Sequence, residues 1–107
     1  MGCTVNQLHL NPMPEIRFQV EWPDGLQSTC YSPSLVVLDY FEAGKEYALD
    51  DFVERCRTSL SIASDRVYAK YGMHCSRAQA QLQDIEQMKT KYHHLCGPKV
   101  RLIEFIN

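Results

Sequence analysis

The sequence has no apolar run approaching the eighteen or so residues a membrane span needs, and no charged stretch followed by an apolar one at its N-terminus. A soluble, cytoplasmic chain is the expectation. Neither charge sign is in excess: eleven basic residues stand against thirteen acidic ones, so nothing draws the chain broadly to nucleic acid or anionic lipid. No C-x-x-C pair occurs among the five cysteines, Cys3, Cys30, Cys56, Cys75 and Cys96. Odd in number and widely spaced, they suit reduced thiols better than a disulfide framework. A glycine-rich phosphate loop, a complete metal signature and a catalytic triad are missing too, so neither a cofactor nor a metal is expected. Met-Gly-Cys opens like a myristoylation signal, but that pattern wants Ser or Thr where Asn6 stands.

What is there fits one α+β domain over residues 14–107, behind a flexible tail over 1–13 that closes on Asn11-Pro12-Met13-Pro14. From Glu15 the chain alternates strictly, Ile16, Phe18, Val20 and Trp22 against Arg17, Gln19 and Glu21, which predicts a half-buried strand. Pro23-Asp24-Gly25 is the chemistry of a three-residue hairpin loop with a G1 bulge. Such a loop sets Trp22 opposite Leu26, Val20 opposite Ser28 and Phe18 opposite Cys30, so Leu26 and Cys30 should face the core. A two-residue Asp-Gly loop would flip the second strand and bury Gln27, Thr29 and Tyr31 instead. Trp22 at the hairpin tip is either a lid over the core edge or an exposed anchor for a partner.

Ser32 can cap a short helix with Pro33 as its first residue, although Leu35, Val36, Leu38 and Tyr40 also suit a short strand; a short helix is preferred. Asp50 is a good N-cap for a long helix whose face is Phe52, Val53, Cys56, Leu60, Ala63, Val67 and Tyr71, ended by Gly72. Ser76 should cap a second helix, with Ala78, Leu82, Ile85, Met88 or Lys89, Tyr92 and Leu95 on one face and Gly97-Pro98 as its stop. Val100 to Ile106 reads as a well-buried strand. The expected fold is a two-layer sandwich: a small antiparallel or mixed sheet, made of the N-terminal hairpin plus the C-terminal strand, with two long helices on one face. The last strand should pair beside the first, leaving edges that can support a homodimer.

Chemistry can gather at the joint between the long helices. Cys75 precedes the second helix, whose N-terminal amides favour a thiolate, so it is the candidate nucleophile; a structural cysteine filling the turn is the simpler alternative. Arg66 and Lys70 are a like-charged i,i+4 pair and Arg77 follows, a set that can cradle a carboxylate or phosphate with the amides near Ser76. A solvated basic face, or pairing with Asp65, Glu42 or Glu46, is the alternative there. Tyr31, Ser34 and Tyr71 complete the candidate ligand-binding set. His74, Cys75, His93, His94 and Cys96 match no zinc spacing.

The segments PEIRFQVEWPDG, CYSPSLVVLDYFEAGKEYALDDF and IASDRVYAKYGMHCSRA resemble a small bacterial family of nitrogen-starvation-response proteins. The resemblance spans Pro14 to Asn107 and is most specific in Cys30-Tyr31-Ser32-Pro33-Ser34 and in Ala69-Lys70-Tyr71-Gly72 followed by Cys75-Ser76. It implies a product of a nitrilase-containing gene cluster, linked with nitrogen limitation and polyhydroxybutyrate storage. It assigns no catalytic residue. An accessory or regulatory protein follows, dimeric and contacting an enzyme of the same pathway or a small ligand. The alternative is a small enzyme using Cys75 beside the basic patch.

Overall fold

The computed structural model describes residues 14–106, so the N-terminal tail expected over 1–13 lies outside the described residues. The alternating segment forms β1 (Ile16–Glu21), and its partner is β2 (Gln27–Ser32). Phe18 faces Cys30 and Val20 faces Ser28, the register of the three-residue loop. Trp22 N–H donates to the Leu26 carbonyl at 2.8 Å and Gly25 N–H to the Trp22 carbonyl at 2.9 Å. Gly25 takes φ 91°, the left-handed position that the loop demands. Cys30 is buried as expected, but Leu26 is 48% exposed. Leu26 belongs to the loop rather than the strand: its N–H is held by Asp24 Oδ1 at 2.9 Å, and the helices that cover Trp22 leave it bare.

The next segment is a 3₁₀ helix, Leu35–Asp39, and its cap is Ser34 rather than Ser32. Ser34 Oγ accepts from Val36 N–H at 3.3 Å, while Ser32 Oγ donates to the Ser34 carbonyl at 2.7 Å. A strand that sequence periodicity misses follows, β3 (Glu46–Ala48). The first long helix, α1, spans Leu49–Tyr71 and starts one residue before its expected Asp50 cap. Leu49 N–H is instead satisfied by the Pro98 carbonyl at 3.0 Å, a tertiary bond that takes over the cap's task. Asp50 lies in the first turn and reaches Lys89 at 3.5 Å. Asp51 and Arg55, an acid one turn before a base on the same face, pair at 2.9 Å.

Twenty-three residues make α1 about 34 Å long, against about 20 Å for the six-residue β1. The helix therefore outruns the sheet. Phe52, Val53, Cys56, Leu60 and Ala63 are buried, Val67 is half-buried, and Tyr71 is 49% exposed, so the apolar stripe outlives the core it was expected to meet. Gly72 stops the helix at φ 80°, its N–H bonded to the Tyr68 carbonyl at 2.8 Å. The second helix, α2 (Ser76–Tyr92), begins on Ser76 with Cys75 as its N-cap, one residue earlier than expected. Ala78, Ile85 and Tyr92 are buried and Leu82 and Met88 pack at the margin. The helix ends at Tyr92, leaving Leu95 beyond it and exposed.

The last strand, β4 (Lys99–Ile106), lies between β1 and β3 in an antiparallel sheet ordered β2-β1-β4-β3. The last strand thus pairs beside the first, as expected. Between Gln19 and Val20 the register shifts so that Ile103 is left without an opposite residue, a bulge. Beyond Leu102 the strand is less buried than its composition suggests, with Phe105 half-buried and Ile106 40% exposed. The inward sheet residues and the helix stripes form one core, so both helices cover the same face. Trp22 is a lid: it is buried, stacks on Tyr92 at 6.0 Å, meets Phe52 edge-on at 5.5 Å and donates to Ser28 Oγ at 2.9 Å.

Candidate functional site

The α1–α2 corner lies against the end of β2, and the candidate ligand-binding residues sort there into local partnerships. Arg66 Nη1 donates to Ser34 Oγ at 3.1 Å, tying α1 to the buried serine that caps the 3₁₀ helix. The Arg77 guanidinium lies 3.9 Å from the centre of the Tyr31 ring, and Arg17, opposite Tyr31 in the sheet, lies 5.5 Å from it. Glu15 bridges the two cations, at 3.2 Å from Arg17 and 3.9 Å from Arg77. Burial pushes the Tyr31 phenol above its ordinary value, with Glu15 adding to the rise and Arg77 opposing it. Lys70 Nζ sits 5.8 Å over the neighbouring Tyr71 ring. Ser76 is the first residue of α2, and Cys75, half-buried before it, makes no side-chain capping bond.

Glu15, Arg17 and Gln81 belong to this cluster without any signal in the sequence pattern. Gln81 Oε1 accepts from Tyr31 N–H at 2.9 Å across a separation of fifty residues. His74 is held in the corner as well, stacked on Tyr68 at 4.6 Å and 3.3 Å from Ser64 Oγ through Nδ1. A cavity of about 210 Å³ lies beside it, lined by Leu60, Ser64, Asp65, Ala78 and Leu82. Among the described residues, no group of three His, Cys, Asp or Glu side chains is placed to hold a metal ion.

A larger concavity of about 630 Å³ separates β2 from α2. Trp22, Cys30, Ile85 and Met88 give it an apolar floor, and Asp84 and Lys91 stand at its margin. Its volume is in the range of small-ligand sites, roughly 300–1,000 Å³. Burial pushes the Cys30 thiol up to about 12, helped by the Asp84 carboxylate, so at neutral pH it is a packing group and not a nucleophile. Burial likewise raises the Cys56 thiol well above its ordinary value.

The sequence pattern of the family described as nitrogen starvation-induced protein NitG matches residues 17–105. The chain belongs to that family. No curated protein and no solved structure matches it. The match runs from β1 into β4 and so takes in both helices, the corner and the β2–α2 groove. Within the family segment, Cys30 to Ser34 supply a core thiol, the Tyr31 platform and the serine turn; Ala69 to Ser76 supply the corner facing them. Among the described residues no helix is long and apolar enough to cross a membrane.

Proposed function

We propose that this member of the NitG family is a cytoplasmic, non-enzymatic accessory protein of the nitrogen-starvation response. It acts by contact with an enzyme of the same pathway, one linked with a nitrilase-containing gene cluster and with polyhydroxybutyrate storage. One observation carries the reading: at the corner, Arg66 and Arg77 are engaged by Ser34, Tyr31 and Glu15, while Tyr68, Tyr71 and Met73 stand 51%, 49% and 66% exposed. Cations spent on the protein's own groups hold the joint together. Clustered exposed aromatics and a methionine are the composition of a contact surface. The homodimer belongs to the same proposal, through the C-terminal half of β4, which runs past the three-residue β3 and leaves Ile106 exposed.

Crosslinking and copurification from nitrogen-starved cells tests the corner. The parent chain should recover a pathway enzyme, and a Tyr71→Ser, Met73→Ser variant, altered only at exposed positions, should not. Repeated recovery of the chain alone counts against the proposal. The enzyme alternative rests on Cys75 at the uncapped start of α2. Turnover of an anionic substrate that Cys75→Ser abolishes would establish it in place of the accessory role.

A further inference from the structure

We infer that the groove between β2 and α2 receives an extended peptide, which adds to the outer edge of β2 as a further strand. The direction of the β2 main chain is the starting point. Trp22 N–H bonded to the Leu26 carbonyl closes the hairpin, so pairing with β1 falls on Ser28, Cys30 and Ser32 and turns the peptide groups of Gln27, Thr29 and Tyr31 outward. The Tyr31 N–H confirms the alternation, because its acceptor is Gln81 on α2 at 2.9 Å. The Gln81 side-chain carbonyl thus stands where the carbonyl of a neighbouring strand would stand. It also spaces the helix a side chain's length from the edge.

One turn further along α2 the same space opens into the cavity of about 630 Å³, with Thr29 on its wall. Edge N–H and C=O groups beside a cleft are a template for strand addition, in which main-chain bonds give affinity and pockets for alternate side chains give selectivity. Here the inward side chains of the peptide meet Trp22, Cys30, Ile85 and Met88, so they are apolar. Asp84 at the rim favours a lysine or arginine nearby, and Lys91, about two turns on, favours an acidic residue or a terminal carboxylate. The groove meets the corner cluster at Tyr31 and Gln81 but takes in none of the exposed Tyr68, Tyr71 and Met73, so this inference holds or fails independently of the accessory role.

The probe is a random heptapeptide library displayed on phage and selected against the full chain, followed by synthesis of the selected peptides. Trp22, the only tryptophan, lines the groove, and its emission reports binding. N-methylation of the peptide should weaken binding tenfold or more at alternate residues and leave the intervening ones unaffected. Asp84→Lys, at an exposed position, should weaken cationic peptides tenfold and spare folding. A library that yields no binder overturns the inference, as does binding indifferent to N-methylation. Sedimentation showing a dimer that Asp84→Lys dissolves would also overturn it, by placing a second copy in the groove.

Discussion

Replacing Tyr92 with Phe should stabilise the protein. The Tyr92 ring is 3% exposed and stacked on Trp22, and that packing survives in Phe. Its hydroxyl is buried and finds no hydrogen-bond partner among the described residues. The Asp24 carboxylate is near enough to act on it without meeting hydrogen-bond geometry, and this neighbour, added to burial, holds the phenol up at about 12. A buried hydroxyl left unpaired costs roughly 1–3 kcal/mol. Allowing for the partial compensation by Asp24, Tyr92→Phe should gain about 1 kcal/mol, or roughly 4–8 °C in Tm for a domain near this size. Urea unfolding followed by Trp22 emission reads it as a higher midpoint at unchanged slope. The sign of the pH dependence is set as well. A phenol whose folded-state value lies above its ordinary 10.0 contributes stability that is lost as pH rises through about 12, so above pH 10 the parent weakens more steeply than the variant, which keeps the raised Cys30, Cys56 and Tyr31 groups. A variant destabilised by about 1 kcal/mol or more would refute the reasoning, since the hydroxyl would then have a bond worth more than its desolvation.

Ser34→Ala should cost about 1–3 kcal/mol, because it strips both Val36 N–H and Arg66 of their acceptor; a double-mutant cycle with Arg66→Ala should show coupling of about 1 kcal/mol. Gly72→Ala should cost about 1–2 kcal/mol in chemical denaturation from backbone strain alone, since the added Cβ would meet nothing within 4 Å. Among the cysteines of the described residues, iodoacetamide at pH 8 should label Cys96 and Cys75 first and reach Cys30 and Cys56 only on unfolding, as mass spectrometry of the digested protein will show. Because burial raises the Cys30 thiol from 9.0 to about 12, its contribution to stability is complete below pH 9 and lost as pH climbs through about 12; Cys30→Ala should flatten that part of the alkaline unfolding profile.

The hairpin register was legible because Pro23-Asp24-Gly25 names one loop geometry, and loop geometry propagates along both strands. Gly72 was legible for the same kind of reason, one residue in one backbone conformation. β3 was not, since Glu46-Tyr47-Ala48 is too short to show a period and exists through its pairing with β4. The start of α1 slipped by a residue because a long-range contact intervened: Pro98, distant in sequence, satisfies Leu49 and makes an Asp50 cap unnecessary. Tyr71 marks another limit, because helical spacing records an apolar face but not where the sheet beneath it ends. At the corner, the residue types were visible and their partners were not. Nothing near Arg66 or Arg77 in the sequence announces Ser34, Tyr31 or Glu15.

The position of β4 between β1 and β3 has a consequence for how the chain is made. The ion pair of Arg101 with Glu21 joins residues eighty apart, and the whole β1–β4 seam spans similar separations. At roughly 5–20 residues per second, a ribosome takes roughly 4–16 s between the two. During that interval Ile16, Phe18 and Val20 have been translated but cannot yet have β4 beside them. The sheet closes only when synthesis has passed Ile106 and that strand has cleared the exit tunnel. Expression yield should therefore depend on what shields the emerging hairpin, and a fusion appended after β4 needs a linker that lets the strand slide in.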